Sequence, residues 1–165
     1  MARPRNKLRK ETGVTGARIL VVEARYYEDI ADHLLKGATR VLREAGAVWD
    51  IVAVAGALEI PTAIAIAHDA AVKRGEPYDA AVALGCVIRG ETSHYDIVAE
   101  NSSGGIAAMA AAERFPIGNG ILTVDTDAQA LERARPTRLD KGGGAVRAAL
   151  SLVRLKRQLA RKRKL

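Results

Sequence analysis

The residues best suited to chemistry lie in one short stretch of the chain, Leu84 to Asp96. It contains two glycines, an arginine, two aliphatic hydroxyls and a histidine, and the apolar run 79–84 leads into it. A helix-forming segment follows it. In an open α/β sheet, ligands bind just beyond the carboxyl ends of the strands, where a turn of this kind would lie. The stretch is therefore the candidate active site, and the rest of the chain must position it.

The turn between the predicted strand and the helix has the features of an anion site. The backbone N–H groups and hydroxyls of residues 90–93 lie at the N-terminus of a helix, where phosphate binds favourably. A positive charge is still needed to complete such a site. The candidates for it are Arg89, Arg133 and Lys141.

The glycine spacing of residues 85–92 matches that of the nucleotide-binding P-loop, but Glu91 stands at the position of its lysine. A carboxylate there would repel the β- and γ-phosphates instead of pairing with them. No G-x-G-x-x-G sequence follows a predicted strand, and no cluster of His, Cys, Asp and Glu has structural-zinc spacing. The sequence thus predicts neither an NTPase nor a dinucleotide fold, and it predicts no metal site.

His94 is the candidate for proton transfer, because a histidine pKa of about 6.5 suits acid–base work at neutral pH. A loop histidine can equally be a helix cap, and this alternative stays open. The other histidines, His33 and His68, lie within predicted helices, where structural roles are favoured. Cys86 lies at a strand end and is interpreted as a small buried apolar residue and not as a nucleophile.

Two further strand-end turns carry candidate binding residues. Tyr26 follows the first predicted strand, where it can stack on a planar ring or cover the sheet edge. Glu59 follows the second strand, where it can bind a polar ligand or simply interact with the helix dipole. Together with the anion-binding turn, these residues predict a site for a planar polar molecule and a phosphorylated one. Their types and spacing identify neither molecule.

The elements that must position these residues alternate regularly along the chain. Apolar runs predict strands over about 17–23, 48–54, 79–86 and 120–124. Helical periodicity predicts helices over about 30–45, 62–73, 95–114 and 125–133, and a final helix after Gly142–Gly144. Such alternation implies right-handed crossovers and a parallel sheet. The predicted fold is α/β, a flavodoxin-like three-layer sandwich in which a parallel four-stranded sheet has helices on both faces.

The length of 165 residues suits one domain with a sizeable core. Aromatic residues make up only 4% of the chain, so this core must consist mainly of Ala, Val, Leu and Ile. We expect a basic flexible N-terminal arm over residues 1–16, the folded domain over 17–158 and a basic C-terminal tail over 159–165. The arm is expected to be mobile, or to order only against a neighbouring subunit.

The formal net charge of +7 favours anionic partners, whether nucleic acid, an acidic membrane or a phosphorylated small molecule. Scarce aromatic residues leave little for stacking on bases, so the basic segment 154–164 is interpreted as a solvated helix face and no nucleic-acid partner is predicted. No apolar run reaches the roughly 18 residues of a transmembrane helix, and no membrane partner is predicted. The single cysteine is typical of a reduced, cytoplasmic protein.

Two long motifs, Gly56–Pro61 and Leu84–Asp96, strongly resemble those of the 6,7-dimethyl-8-ribityllumazine synthases of riboflavin biosynthesis. The resemblance covers about residues 19–152. It implies the condensation of 5-amino-6-(ribitylamino)uracil with 3,4-dihydroxy-2-butanone 4-phosphate, with release of phosphate. It also implies catalysis by positioning and proton transfer without a cofactor or a metal, in agreement with the motifs that are missing here.

The resemblance implies roles for individual residues. His94 is the implied acid/base group beside the departing phosphate, Arg133 the arginine that pairs with phosphate from an adjacent subunit, and Lys141 a lysine near the ribityl chain. The other implied binding residues are Tyr26 against the pyrimidine, Ala57, Leu58 and Glu59 on the ribityl side, Cys86, Val87 and Ile88 at the uracil, Glu91 (through its backbone N–H) and Thr92 at the phosphate, and Asn119 at the pocket wall.

Two positions depart from the commoner pattern of that family. Leu58 stands where phenylalanine is frequent, and Asn119 stands where an aromatic residue of the neighbouring subunit often closes the pocket. A non-catalytic or weakly active lumazine- or flavin-binding relative is therefore the alternative to an enzyme. In either case the resemblance implies a homo-oligomer with shared active sites, a pentamer or an assembly built from pentamers.

Overall fold

The computed structural model describes residues 12–161, which fold around a four-stranded parallel sheet. The strands are β1 (Arg18–Ala24), β2 (Val48–Val54), β3 (Ala80–Ile88) and β4 (Ile117–Val124). The helices are α1 (Glu28–Glu44), α2 (Ile60–Lys73), α3 (His94–Glu113), α4 (Asp127–Ala134) and α5 (Lys141–Arg161), with a short 3-10 helix over Ala57–Glu59. The predicted alternation of strands and helices is confirmed.

The strands lie in the order β2-β1-β3-β4, and all neighbouring strands are parallel. The chain passes from β1 outward to β2 and then crosses back over β1 to form β3 on its other side. The direction in which strands are added therefore reverses between β1 and β3. In open α/β sheets such a reversal leaves a crevice at the carboxyl ends of the two strands, where ligands bind.

Helices cover both faces of the sheet, as the continuous apolar strands predict. One core cluster joins the sheet to α1, α4 and α5, and it includes Leu34, Ala130 and Val146. A second cluster joins the other face to α2 and α3, and it includes Ile64 and Ile106. The predicted flavodoxin-like three-layer sandwich is confirmed. It holds the carboxyl ends of the strands, and the turns that follow them, on a rigid support.

Some element boundaries differ from those predicted. β3 continues to Ile88, and β4 begins at Ile117 and not at Gly120, because the two strands pair along the whole length of β4. α5 begins at Lys141, so the glycines 142–144 lie inside the helix and not before it. Glycine normally weakens a helix. Its presence here is explained by close packing, since a Cβ on Gly142 would collide with the main chain of α1.

The termini of the predicted domain are only partly described. Residues 1–11 of the expected arm lie outside the described residues, but its last residues belong to the folded domain. Val14 is fully buried, and the Gly16 N–H donates to the Gly46 carbonyl over 2.8 Å. Residues 159–161 of the expected tail continue α5, and 162–165 lie outside the described residues. None of the helices described is long and apolar enough to cross a membrane.

The contact between α5 and α1 gives a first testable prediction. A Cβ built on Gly142 would collide with the Leu34 carbonyl oxygen, whereas one built on Gly144 meets no atom within 4 Å. We expect Gly142→Ala to lower the free energy of unfolding by about 1–3 kcal/mol, because the two backbones cannot separate without disturbing the core. The matched control, Gly144→Ala, is expected to raise it by up to about 1 kcal/mol, since alanine favours the helix. Urea unfolding at equal protein concentration measures both, and equal effects would contradict this packing.

Candidate active site

A cleft of about 440 Å³ lies at the carboxyl ends of β1, β2 and β3. Three strand-end turns contribute its walls, and it lies where the reversal of strand order leaves a crevice. The lining residues are Tyr26 and Tyr27 after β1, Ala55, Gly56, Ala57, Leu58 and Glu59 after β2, and Cys86, Val87, Ile88, Gly90, Thr92, His94, Tyr95 and Val98 from β3 to α3. Most of the candidate residues from the sequence are thus brought to one place.

The turn between β3 and α3 is exposed and is held mainly at its ends. Before it, the Arg89 N–H donates to the Val124 carbonyl over 2.9 Å; after it, the Asp96 N–H donates to the Ser93 carbonyl over 3.0 Å. Within it, the His94 N–H donates to Thr92 Oγ1 over a long 3.4 Å. Ser93 occupies the N-cap position of α3 without a capping bond from its side chain. The start of this helix therefore presents main-chain N–H groups to solvent, as an anion site requires.

The sequence suggested that His94 lies in a loop, but His94 is the first residue of α3. Its side chain is exposed and lines the cleft. The capping position belongs to Ser93, so the alternative role of His94 as a helix cap is not realised. An exposed imidazole at the edge of the cleft, beside the anion-binding turn, can take up or release a proton on a bound ligand.

Glu59 makes a local hydrogen bond at the start of the 3-10 helix and also lines the cleft. Its Oε2 accepts a hydrogen bond from the Gly56 N–H at 2.9 Å, which satisfies a free donor at the start of the 3-10 helix. Because Gly56 has no side chain, this is only half of a capping box. The carboxylate is nevertheless exposed and lines the cleft, where its second oxygen can accept from a ligand hydroxyl. Leu58, beside it, is 38% exposed on the same wall.

Two adjacent tyrosines form the wall that follows β1. Tyr26 is 74% exposed, and its ring packs edge-to-face on that of Tyr27 with centroids 4.9 Å apart. The exposed ring is therefore accessible to a planar ligand in the cleft. Tyr27 is partly buried, and burial raises the pKa of its hydroxyl. Tyr27 was not singled out from the sequence, although it follows Tyr26 in the same strand-end turn.

The floor of the cleft is formed by Cys86, Val87 and Ile88 at the end of β3. Cys86 is buried, and this burial raises the pKa of its thiol to about 12, with Asp127 and Asp29 acting in the same direction. The thiol is therefore protonated at neutral pH and is a poor nucleophile. This agrees with its interpretation as a small apolar residue.

The raised thiol pKa predicts a slow chemical reaction. At about pH 8, iodoacetamide should label Cys86 in the folded protein more slowly than in the urea-unfolded chain, by a factor on the order of 10³. The raised pKa of the Cys86 thiol also determines how the stability of the fold changes with pH. The stabilising effect of the protonated buried thiol is fully present below the unfolded pKa of about 8.5 and is lost as the pH rises towards 12. Mass spectrometry of labelled protein measures the rate, and rapid labelling of the folded form would contradict the assignment.

The candidate cations lie outside this cleft. The Arg89 guanidinium is engaged by Asp96 at 3.2 Å and by Asp125 at 3.3 Å. Arg133 lies near the end of α4, where its side chain donates to a carbonyl of its own helix at 3.0 Å, and Lys141 is the first residue of α5. In the part of the chain that the structure describes, no arginine or lysine lines the cleft. Residues 12–161 therefore offer no cationic partner within the cleft to an anion bound at the turn.

Asn119 and Glu91 are likewise not among the lining residues. Asn119 is exposed near the start of β4, and its side-chain oxygen accepts from the Ile121 N–H at 2.9 Å. Asn119 lies opposite Ala83, and the floor of the cleft begins at Cys86, three residues or about 10 Å further along the strands. Glu91 lies in the exposed turn. Asn119 thus does not line the cleft of its own chain.

Tyr95, Val98 and Ala55 also line the cleft and were missed from the sequence. Val98 had a usable signal, because residues four apart on a helix lie on one face and His94 was already a candidate. Ala55 directly precedes the Gly56–Pro61 motif. Ala55 and Val98 lie just outside the two motifs, whereas Tyr95 lies inside the second motif and was not assigned a role.

A parallel sheet with helices on both faces and a cleft at the carboxyl ends of its strands places this protein in the α/β class with a flavodoxin-like fold. Comparison with known proteins identifies its family. The sequence profile described as 6,7-dimethyl-8-ribityllumazine synthase matches residues 16–157. The chain belongs to the 6,7-dimethyl-8-ribityllumazine synthase family.

Individual relatives agree with the profile. The chain is 62% identical over 145 residues to a 6,7-dimethyl-8-ribityllumazine synthase of Azorhizobium caulinodans, a match that covers 88% of this chain and 90% of that protein. It is 57% identical over 157 residues to the synthase of that name from Nitrobacter hamburgensis, with 95% and 96% covered. A 6,7-dimethyl-8-ribityllumazine synthase 1 of Rhodopseudomonas palustris is 55% identical over 157 residues, with the same coverage.

Proposed function

We propose that the protein condenses 5-amino-6-(ribitylamino)uracil with 3,4-dihydroxy-2-butanone 4-phosphate to give 6,7-dimethyl-8-ribityllumazine and inorganic phosphate. The observation that carries this proposal is the cleft at the reversal of strand order, in a chain of this family. It gathers most of the implied site residues in one place, namely Tyr26, Ala57, Leu58, Glu59, Cys86, Val87, Ile88, Thr92 and His94.

The reaction joins the two substrates in three stages. The 5-amino group attacks the ketone carbon of the butanone phosphate, and loss of water gives an imine. Removal of a proton from the neighbouring carbon and departure of phosphate give an enol, which becomes a ketone. The ribitylamino nitrogen then attacks this new carbonyl, and loss of a second water closes the ring. Each stage needs a proton to be moved while the reactants stay aligned, so positioning and acid–base chemistry suffice.

The cleft can hold the uracil substrate in one orientation. The open face of the Tyr26 ring stacks on the pyrimidine, and the backbone groups of Cys86–Ile88 meet its polar edge. The ribityl chain lies along Ala57–Glu59, where the exposed Glu59 carboxylate accepts from its hydroxyls. Leu58 supplies an apolar wall on the same side.

The phosphate substrate lies at the start of α3. The main-chain N–H groups of Glu91 and Thr92 and the Thr92 hydroxyl bind the phosphate. The Glu91 side chain is exposed and does not line the cleft. His94, the next residue but one after Thr92, is placed to move protons at the forming imine and at the leaving phosphate. The order of residues along the turn thus puts the acid–base group beside the bond that breaks.

A single subunit provides an incomplete site, and this supports a shared one. The cleft is lined by no cation of the described residues, while Arg133, Lys141 and Asn119 all lie outside it. We assign Arg133 and Asn119 to the cleft of an adjacent subunit in a homo-oligomer, a pentamer or an assembly built from pentamers, and Lys141 to the ribityl side of the completed site. The protein is proposed to act in the cytoplasm on small molecules, with residues 17–158 as the catalytic domain.

The proposal is tested with both substrates and purified protein. Lumazine fluorescence should rise above the uncatalysed rate, with one phosphate released for each lumazine formed. A protein that binds the uracil or riboflavin but gives no phosphate-coupled fluorescence above that rate would instead be a binding relative of the family.

A further inference from the structure

Arg89 is held on several sides although its side chain is 45% exposed. Its Nη2 lies 3.2 Å from Asp96 Oδ1, its Nε lies 3.3 Å from Asp125 Oδ1, and its guanidinium carbon lies 4.0 Å from the centre of the Tyr95 ring. Exposed ion pairs contribute little when taken singly. A planar guanidinium that meets two carboxylates and an aromatic face is, however, fixed in one orientation.

These partners belong to different parts of the chain that meet at the anion-binding turn. Arg89 directly follows β3, Asp96 lies in the first turn of α3, and Asp125 directly follows β4. Residues 90–93 are the segment between Arg89 and α3. The side chain therefore closes this segment into a loop and ties it to β4. Such closure reduces the freedom of an exposed, glycine-containing turn whose internal hydrogen bond is long.

The local charges show that Arg89 does not serve as the phosphate's own cation. One guanidinium faces two carboxylates, so the group carries a net negative charge. Asp96, more than Asp125, raises the pKa of the guanidinium. Arg89 is also absent from the residues that line the cleft. Arg89 lies outside the cleft and is paired with carboxylates, so any effect it has on a bound phosphate must come through the main chain of the turn that it holds.

We propose that Arg89 is a positioning residue, which fixes turn 90–93 so that its main-chain N–H groups point at the phosphate of the butanone substrate. This role rests on the proposed function. It assigns Asp96 and Asp125 as the two anchors of the guanidinium. The proposed role of Arg89 differs from that of Arg133, which is assigned to neutralise the charge of the phosphate.

The first test compares conservative variants. Arg89→Lys keeps the positive charge but loses the planar group that reaches both anchors, and Asp96→Asn weakens one anchor. Each should raise the KM for the butanone phosphate by about tenfold, because small displacements of a binding group are costly. The KM for the uracil should stay within about twofold, since its binding surfaces are untouched. An unchanged KM for the butanone phosphate in both variants would overturn the proposal.

The chain offers a matched control in Arg18. It also bridges two carboxylates, Asp50 at 3.6 Å and Glu76 at 3.9 Å, and lies over the Tyr78 ring at 5.6 Å. It does so at the amino ends of the strands, away from the cleft. Arg18→Lys should leave both KM values within about twofold of the wild type. A rise in the butanone phosphate KM equal to that of Arg89→Lys would show general destabilisation and overturn the assignment.

Millisecond amide hydrogen exchange provides a readout that needs no turnover. Exchange at residues 90–94 should become faster in Arg89→Lys and remain unchanged in Arg18→Lys; equal exchange in both overturns the proposal.

If wild-type protein forms no lumazine, the proposed function is wrong, but the role of Arg89 can still be tested. Binding of inorganic phosphate, followed by ³¹P NMR, then decides the role of Arg89: weaker binding in Arg89→Lys supports it, and equal binding overturns it.

Discussion

Arg133→Ala is expected to raise the KM for the butanone phosphate by about 10²-fold and to leave the KM for the uracil nearly unchanged. An arginine pairs with phosphate through charge-assisted hydrogen bonds, each contributing about 1.5–3 kcal/mol, and about 1.4 kcal/mol corresponds to a factor of ten. No arginine or lysine of the described residues lines the cleft, so the subunit that supplies the turn offers no second cation for the phosphate. Steady-state kinetics with each substrate varied in turn measures both constants.

Arg138→Ala is the matched control for this variant. Arg138 is an exposed arginine on the same side of the sheet, paired with Glu132 at 3.8 Å, and its loss should leave both KM values within about twofold. If Arg133→Ala leaves the KM for the butanone phosphate unchanged, the assignment of Arg133 is wrong.

Mixed oligomers test whether Arg133 acts on a neighbouring subunit. Subunits carrying His94→Ala and subunits carrying Arg133→Ala are each impaired alone. Co-expression brings intact Arg133 of one type to the intact His94 of the other, so some sites become complete if the residues act across the interface. Activity well above that of either variant is then expected. A co-expressed mixture no more active than the better parent would place both residues in one subunit's site.

His94→Ala is expected to lower kcat by about 10²-fold, at the low end of the range for general acid–base catalysis, because positioning contributes much of the rate here. Both KM values should change little, since the stacking and phosphate contacts remain. The side chain is exposed, so the fold should be unaffected. Lumazine fluorescence with both substrates at saturating concentration measures kcat.

His94→Gln separates proton transfer from simple contact. Glutamine can donate and accept hydrogen bonds but does not exchange protons near neutral pH. It should therefore be as slow as His94→Ala. His33→Gln, on α1 and outside the cleft, should retain wild-type kcat. Near-normal turnover in both His94 variants would mean that solvent moves the protons and that His94 only lines the cleft.

Local sequence patterns predicted the elements of this fold well, and its non-local boundaries less well. The apolar run of β1 and the stripe of α1 are local signals, and both were recognised. The start of β4 was missed because Gly118 and Asn119 are poor strand formers, and only pairing with β3 makes them a strand. Likewise the glycines of α5 suggested a loop, because the neighbour that requires Gly142 is Leu34, far away in the sequence.

The cleft was predictable because chemistry-bearing residues follow strands whose carboxyl ends meet at one edge. Its electrostatics were not predictable in this way. Arg89 was a reasonable cation for the phosphate, but in the structure it pairs with Asp125, and these two residues follow different strands. That none of the residues 12–161 supplies a lining cation is likewise a property of the assembled cleft and not of any motif.

The glycines of α5 and β4 have a consequence for how this site tolerates change. Gly142 packs against the Leu34 carbonyl on one side, and Gly118 of β4 packs against the Ala145 carbonyl on the other. Contacts between main chains cannot be relieved by a change of side-chain rotamer, so they fix the position of α5 against α1 and β4. Because Lys141 is next to Gly142, these contacts also fix the position of its main chain. Substitution of the surrounding apolar side chains should therefore leave Lys141 in place, whereas substitution of Gly118 or Gly142 should displace it.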